Sequence, residues 1–208
     1  MKWELLDVYD RNMTLMGRMT RTEAHRTGAI HKTFHCWIAD DNSLYFQLRS
    51  KDQDFSGMLD VTAGGHLRSG ESVSEAAREI EEETGIKVRF QELHYLGQNI
   101  FDYRNESIYI REVGEVYLYN ILDGLAAFVP DQHEVSGIVS IPLSVDFQGL
   151  LDNRTEVSCD CLLFKWRKFV KDKMTITGKF FEPSVRVYYQ RAFEVAKNFS
   201  SGGYNAHL

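Results

Sequence analysis

Apolar residues recur along this chain in two rhythms, and each predicts a different kind of element. Residues 3–9, 31–39 (HKTFHCWIA) and 44–49 (LYFQLR) are short apolar and aromatic runs. The last two are separated by Asp40, Asp41, Asn42 and Ser43, a polar turn that predicts a hairpin. Residues 55–63 predict a strand leading into Gly64 and Gly65. Further β-rich stretches follow at 87–103, 108–121 (with 115–119, EVYLY, as a buried strand) and 138–141. A helical rhythm runs through 72–85, where Val73, Ala76, Ala77, Ile80 and Thr84 form one apolar stripe. Two more helices are expected over 142–151, opened by Pro142 and Ser144, and over 182–199, with Pro183 in the first turn. Residues 152–179 fit either a helix or a hairpin. Residues 1–28 form an N-terminal extension, 200–208 a loose tail, and the whole of 1–208 a single domain. Strands first paired and then alternating with helices predict an α/β fold: a mixed sheet between helices.

Composition narrows the function. A chain of 208 residues with 43% hydrophobic residues and three prolines has material for a core. A formal charge of −6 without a dense Lys/Arg block argues against a nucleic-acid polymer as partner. No apolar run is long enough to span a membrane, and the N-terminus is too acidic and broken for a secretory h-region. Cys36, Cys159 and Cys161 lack zinc-type spacing and suit buried or incidental thiols in a reducing, cytoplasmic setting.

The segment 64–86, GGHLRSGESVSEAAREIEEETGI, carries the chemistry. Glu79, Glu82 and Glu83 fall within one arc of the helix beside the apolar stripe. Like charges at such spacings repel, and Glu82 and Glu83 lie in the last turn, where the helix dipole disfavours anions. A divalent cation would offset both. Ser72 with Glu75 fits a capping box, and Gly85 suits the left-handed position after the last turn. Gly64 and Gly65 let backbone approach a phosphate or metal closely.

The order of Gly65, Glu71, Arg78, Glu79, Ile80, Glu82, Glu83, Gly85 and Ile86 resembles the Nudix box, with one residue fewer than the pattern between Glu71 and Arg78. The resemblance implies a Nudix-like α/β/α sandwich and a divalent-metal-dependent hydrolase acting on a small-molecule diphosphate, such as a nucleoside diphosphate derivative. It implies Mg²⁺ or Mn²⁺ held by Glu79, Glu82, Glu83 and the Gly64 carbonyl, with Arg78 holding the glutamates in place. Arg49, Gly65 and Glu71 would make the substrate-side contacts, Glu71 by orienting the loop. The metal would neutralise phosphate oxygens and activate water. The base that takes the proton from water is left open between Glu79, Glu134, and the pair Glu112 and Glu115. A homodimer is the assembly expected from family habit.

A second resemblance reaches further upstream. The stretches WELLDVYDRN, GRMTRTEAHRTGAIHKTFHCWI and SGMLDVTAGGH look like the Nudix branch close to isopentenyl-diphosphate isomerase. That enzyme binds metal through three histidines, and His25, His31 and His66 sit at about the matching places. Its catalytic cysteine is replaced here by Gly64. An isomerase-like enzyme is therefore the alternative, with a non-catalytic ligand-binding or sensor module as a third. His25 and His31 are read as ordinary loop histidines, and Phe101 or Tyr103 as pocket-edge aromatics.

Overall fold

Strand β3 (Ile30–Ala39) sends Phe34, Cys36 and Ile38 to one face of the sheet and Trp37 and Ala39 to the other, and both faces are covered. The computed structural model describes residues 4–50 and 55–200. On the first face, α2 (Val73–Ala76) and α3 (Arg78–Thr84) pack Ala76 and Ile80 against Phe34, Ile38 and Tyr45. On the second, α4 (Phe147–Leu151) and α5 (Arg186–Ser200) pack Phe147, Tyr189 and Phe193 against Trp37 and Phe46. A period of two gives each strand these two different faces. The result is a mixed α/β sandwich of the kind the element order predicts.

The sheet is arranged around β3. One of its edges is taken by β8 (Tyr109–Asn120), which runs parallel to it from His31↔Glu112 to Ala39↔Asn120. Its other edge is shared by three strands in turn: β1 (Leu5–Tyr9) at Ile30 and His31, β6 (Ala63–His66) at Thr33–Cys36, and β4 (Ser43–Arg49) at Ile38 and Ala39. β4 therefore parts from β3 almost at once, and a fork opens between them. Thr62 sits in that fork. Its hydroxyl accepts the Ile38 amide at 2.9 Å and donates to the Tyr45 carbonyl, so the ladder's break leaves neither group stranded. β2 (Leu15–Thr20), β5 (Leu59–Asp60) and β7 (His94–Arg104) extend the edges, and β9 (Val135–Pro142), β10 (Val157–Lys165) and β11 (Lys168–Ile176) continue beyond β4.

Several expectations are corrected. Residues 55–63 are not one strand: Phe55 has a positive φ in a turn, β5 pairs with β4, and β6 crosses to β3 after Thr62. Gly64 and Gly65 thus belong to a strand. The N-terminal extension is part of the sheet and also supplies α1 (Arg21–Thr27), closed by a Thr20–Glu23 capping box and by Gly28 at φ 70°. Pro142 ends β9, so α4 begins only after Asp146, whose carboxylate accepts the Gly149 amide. Residues 87–103 become strand only at His94, after a 3₁₀ turn at Phe90–Glu92. Residues 152–179 hold the β10–β11 hairpin, and 182–199 a 3₁₀ turn running into α5. All three cysteines are buried and unbonded to one another. The tail from residue 201 lies outside the described residues.

Replacing Thr62 by Val keeps the shape but orphans the Ile38 amide in the core. Thr62→Val is expected to lose about 1–3 kcal/mol of unfolding free energy in denaturant titration, and Thr62→Ser to lose less. Equal stability of the Val variant and the wild type would contradict this account of the fork.

Candidate active site at the fork of the sheet

The glutamate helix is built much as its sequence implies. Ser72 accepts the Glu75 amide while the Glu75 carboxylate accepts the Ser72 amide at 2.9 Å. Gly85 closes α3 at φ 73°. One detail differs: the helix is not continuous. Ala77 tightens, and the Ile80 amide reaches back only three residues to the Ala77 carbonyl. Arg78 meets Glu71 despite the shortened spacing between them. Arg78 Nε donates to Glu71 Oε1 at 2.8 Å, and Nη1 lies 2.7 Å from Glu82 and 2.6 Å from Glu79. Glu71 also accepts the Arg68 amide at 2.8 Å. Arg78 and Glu71 stand behind the carboxylates rather than in the cavity lining.

The three glutamates differ in surroundings. Glu82 is about half exposed. Glu83 is buried: its Oε2 accepts the Gly64 amide at 2.8 Å and is 3.4 Å from Gln47 Nε2. Burial pushes the Glu83 carboxyl well above the usual range, against the pull of the Gly64 amide. Burial likewise pushes Glu79 up to about 7, with Glu82 adding to the rise and Arg78 opposing it. Gly65 lies so close that a Cβ there would come within 2.5 Å of the Glu79 carboxyl. Any larger residue here would have to push the Glu79 carboxylate out of its present place.

A second cluster lies next along β6, and here the structure overturns the loop-histidine expectation. His25 sits on α1 and His31 on β3, and both are buried. Strand pairing aligns Thr33 with His66 and His31 with Glu112, bringing His25, His31, His66 and Glu112 together. One ligand atom from each lies within 4.8 Å of all the others. Glu112 Oε1 is 3.7, 3.4 and 3.3 Å from Nε2 of His25, His31 and His66 respectively. His31 Nδ1 is 2.9 Å from the Ala29 carbonyl, which can only accept, so Nδ1 carries the proton. The His31 Nε2 is buried without a hydrogen-bond partner and faces the Glu112 carboxylate at 3.4 Å. Burial pushes His25 down to about 3, helped by the charges of His66 and His31, and burial also lowers His66. Three imidazoles converging on a carboxylate suit a bound cation. A tetrahedral ion with bonds of about 2.0–2.1 Å has ligands about 3.3 Å apart, close to the distances here.

Both clusters face one cavity of about 330 Å³ at the fork. Gly64, Gly65, Glu79, Glu82, Glu83, Arg49 and Glu134 line it. Arg49 is paired with Asp60, which also accepts from Tyr189 Oη at 2.9 Å. Of the downstream acids, Glu112 belongs to the histidine cluster. Glu115 points away, bound to Tyr95 and Gln98 at 2.9 Å, because an odd separation on a strand reverses the face. Phe101 lines the cavity mouth with Phe55, and Tyr103 stacks on Phe101 at 5.9 Å. Sequence reasoning missed Thr33, His35, Gln47, Asp60 and Tyr188 in the lining. A single polar residue inside an apolar run gives no signal of its own. At Gly64, where the isomerase has its thiol, a Cβ would stand 3.2 Å from His35 Cδ2.

Comparison with known proteins agrees with this geometry. A model of the NUDIX domain matches residues 29–148, more than half of the chain. An uncharacterized Nudix hydrolase of Clostridium acetobutylicum is 33% identical over 75% of this chain and 78% of its own length. Nudix hydrolase 3 of Arabidopsis thaliana is 36% identical over 59% of this chain, which spans 17% of that longer protein. An isopentenyl-diphosphate Delta-isomerase of Serratia proteamaculans is 31% identical over 43% of this chain and 52% of its own length. The chain belongs to the Nudix family, as a Nudix hydrolase.

Proposed function

We propose that this enzyme hydrolyses the anhydride bond of a small-molecule diphosphate, a nucleoside diphosphate derivative or similar compound, with Mg²⁺ or Mn²⁺. The observation that carries this is the carboxylate wall. Glu79 and Glu83 are raised by burial, and Glu83 is tied to the Gly64 amide beside the cavity. Such a wall stays ionised at neutral pH only beside positive charge. Glu79, Glu82, Glu83 and the Gly64 carbonyl hold the ion in this reading. When bound, it offsets the charge of the phosphate oxygens as the bond breaks. Arg78 fixes the carboxylates through charge-assisted hydrogen bonds. Glu71 acts one step behind, holding Arg78 and the loop at Arg68.

Arg21, Arg49 and Arg68 also line the cavity and supply positive charge for phosphate. Glu134 is the base we favour. It lines the cavity, and its charge bears on Glu83. The histidine cluster is a second cation site in this reading. The aromatic mouth of Phe55 and Phe101 takes the organic moiety. The histidine cluster is also what favours the isomerase alternative, which must then work without a thiol at Gly64.

Metal-dependent release of phosphate or nucleotide is expected from a panel of diphosphates that includes nucleotide sugars, dinucleoside polyphosphates and isopentenyl diphosphate. Glu82→Gln and Glu83→Gln should lower kcat/KM by about 10²-fold or more. Silence across the panel would contradict hydrolysis. Rearrangement of isopentenyl diphosphate without phosphate release would establish the isomerase instead.

Stability should also depend on pH in a way that metal reverses. Because Glu79 binds its proton more tightly folded than unfolded, its contribution is complete below the ordinary carboxylate value of 4.5. It is lost as pH rises through about 7. In chelator, the wild-type Tm should fall relative to Glu79→Gln between about pH 5 and about pH 8. Added Mg²⁺ should restore it in the wild type alone. Parallel pH curves for the two proteins would refute the assignment.

A further inference from the structure

Trp37, Tyr188 and His35 form a chain of hydrogen bonds that ends at the cavity. Trp37 Nε1 donates to Tyr188 Oη at 2.9 Å, and Tyr188 Oη lies 3.0 Å from His35 Nδ1. An indole N–H can only donate, so the tyrosine oxygen accepts there and keeps its own proton for another partner. Trp37 and Tyr188 are buried, and buried polar groups are rarely left unpaired. The arrangement that satisfies all three groups has Tyr188 O–H donating to His35 Nδ1. That assignment leaves Nδ1 bare and puts the imidazole proton on Nε2.

Two glycines pack against the ring. A Cβ on Gly64 would stand 3.2 Å from His35 Cδ2, and a Cβ on Gly114 would stand 3.3 Å from Cε1. The Gly114 position is as near to Nδ1, at 3.3 Å, so glycines on two neighbouring strands pack against the ring. His35 is only half-buried and lines the cavity. Thr33, two residues back on the same face of β3, lines it too, and its buried Oγ1 has no hydrogen-bond partner. So does Gln47, whose buried Oε1 is likewise unpartnered. This part of the wall offers polar atoms that the protein itself does not use.

We propose that His35 donates its Nε2–H to a phosphate oxygen of the bound substrate, with Tyr188 and Trp37 as positioning residues that fix the tautomer. The proposal rests on the cavity being the diphosphate site. A neutral donor adds a contact to phosphate beside the arginines of the same cavity without adding charge. Such a donor gains strength as charge builds on the phosphate oxygens.

Nitrogen-15 NMR of the histidine rings, assigned with His35→Gln, tests this without any turnover. The expected spectrum shows His35 protonated at Nε2 and bare at Nδ1, and Tyr188→Phe should give a mixture of tautomers. Adding methylenediphosphonate with Mg²⁺ should shift the Nε2–H resonance. In kinetics, His35→Leu should lower kcat/KM by about 10²-fold. His35→Gln, whose amide reaches the same place, should recover to within about tenfold of wild type. A ring protonated at Nδ1, a ring indifferent to the diphosphonate, or a folded His35→Leu variant with wild-type kcat/KM would each overturn the proposal. A ring that answers the diphosphonate in a protein that hydrolyses nothing would uphold this contact and strike down hydrolysis.

Discussion

Lone pairs of one kind crowd the fork of this sheet, and their mutual repulsion is the constraint on which the site depends. Three carboxylates of α3 and a carboxylate with three imidazoles converge on a single cavity, with two of the carboxylates raised by burial. Unpaired buried charge is costly, and hydrogen bonds here compensate only in part. The Gly64 amide serves Glu83, Arg78 serves Glu79 and Glu82, and the Ala29 carbonyl orients His31. None of these neutralises the centre of either cluster. In the function proposed above, cations would, and a substrate bringing phosphate would then bridge the two clusters.

The short strand β6 joins the two halves. Gly64 contacts Glu83, Gly65 lies against Glu79, and His66 belongs to the imidazole cluster. Three consecutive residues thus set the spacing between both clusters. β6 is held to β3 at Thr33–Cys36, and β3 to β8 in parallel register. A slip by one residue would turn His31 and Glu112 away from the cavity. The Thr62 hydroxyl, which lets β4 part from β3, therefore supports the site although it touches no substrate.

The local features of the box were legible in sequence, because they arise within one turn or one strand. The Ser72–Glu75 cap, Gly85 at positive φ and the apolar stripe ending on Ile80 and Thr84 follow from short-range rules. The histidine cluster was not legible in the same way. Its members at 25, 31, 66 and 112 meet only through the pairing of three strands and the placement of α1. Their spacing along the chain carries no metal signature. His35 was hidden by its setting in an apolar run, and only the Tyr188 hydroxyl from the far end of the chain gives it a role. The β10–β11 hairpin is only one of two readings the sequence allows, for a local reason. Its turn uses Trp166 and Arg167 at positive φ, where glycine or asparagine would ordinarily announce it.

In the function proposed above, a nitrogen-rich cation site lies beside the box carboxylates and is separate from them. Metal content after equilibrium dialysis against Zn²⁺, then against buffer, tests it most directly. The wild type and Glu83→Gln should retain zinc, and His31→Ala should lose it while staying folded. Zinc retained by His31→Ala, or lost equally from Glu83→Gln, would contradict two separable sites around one cavity.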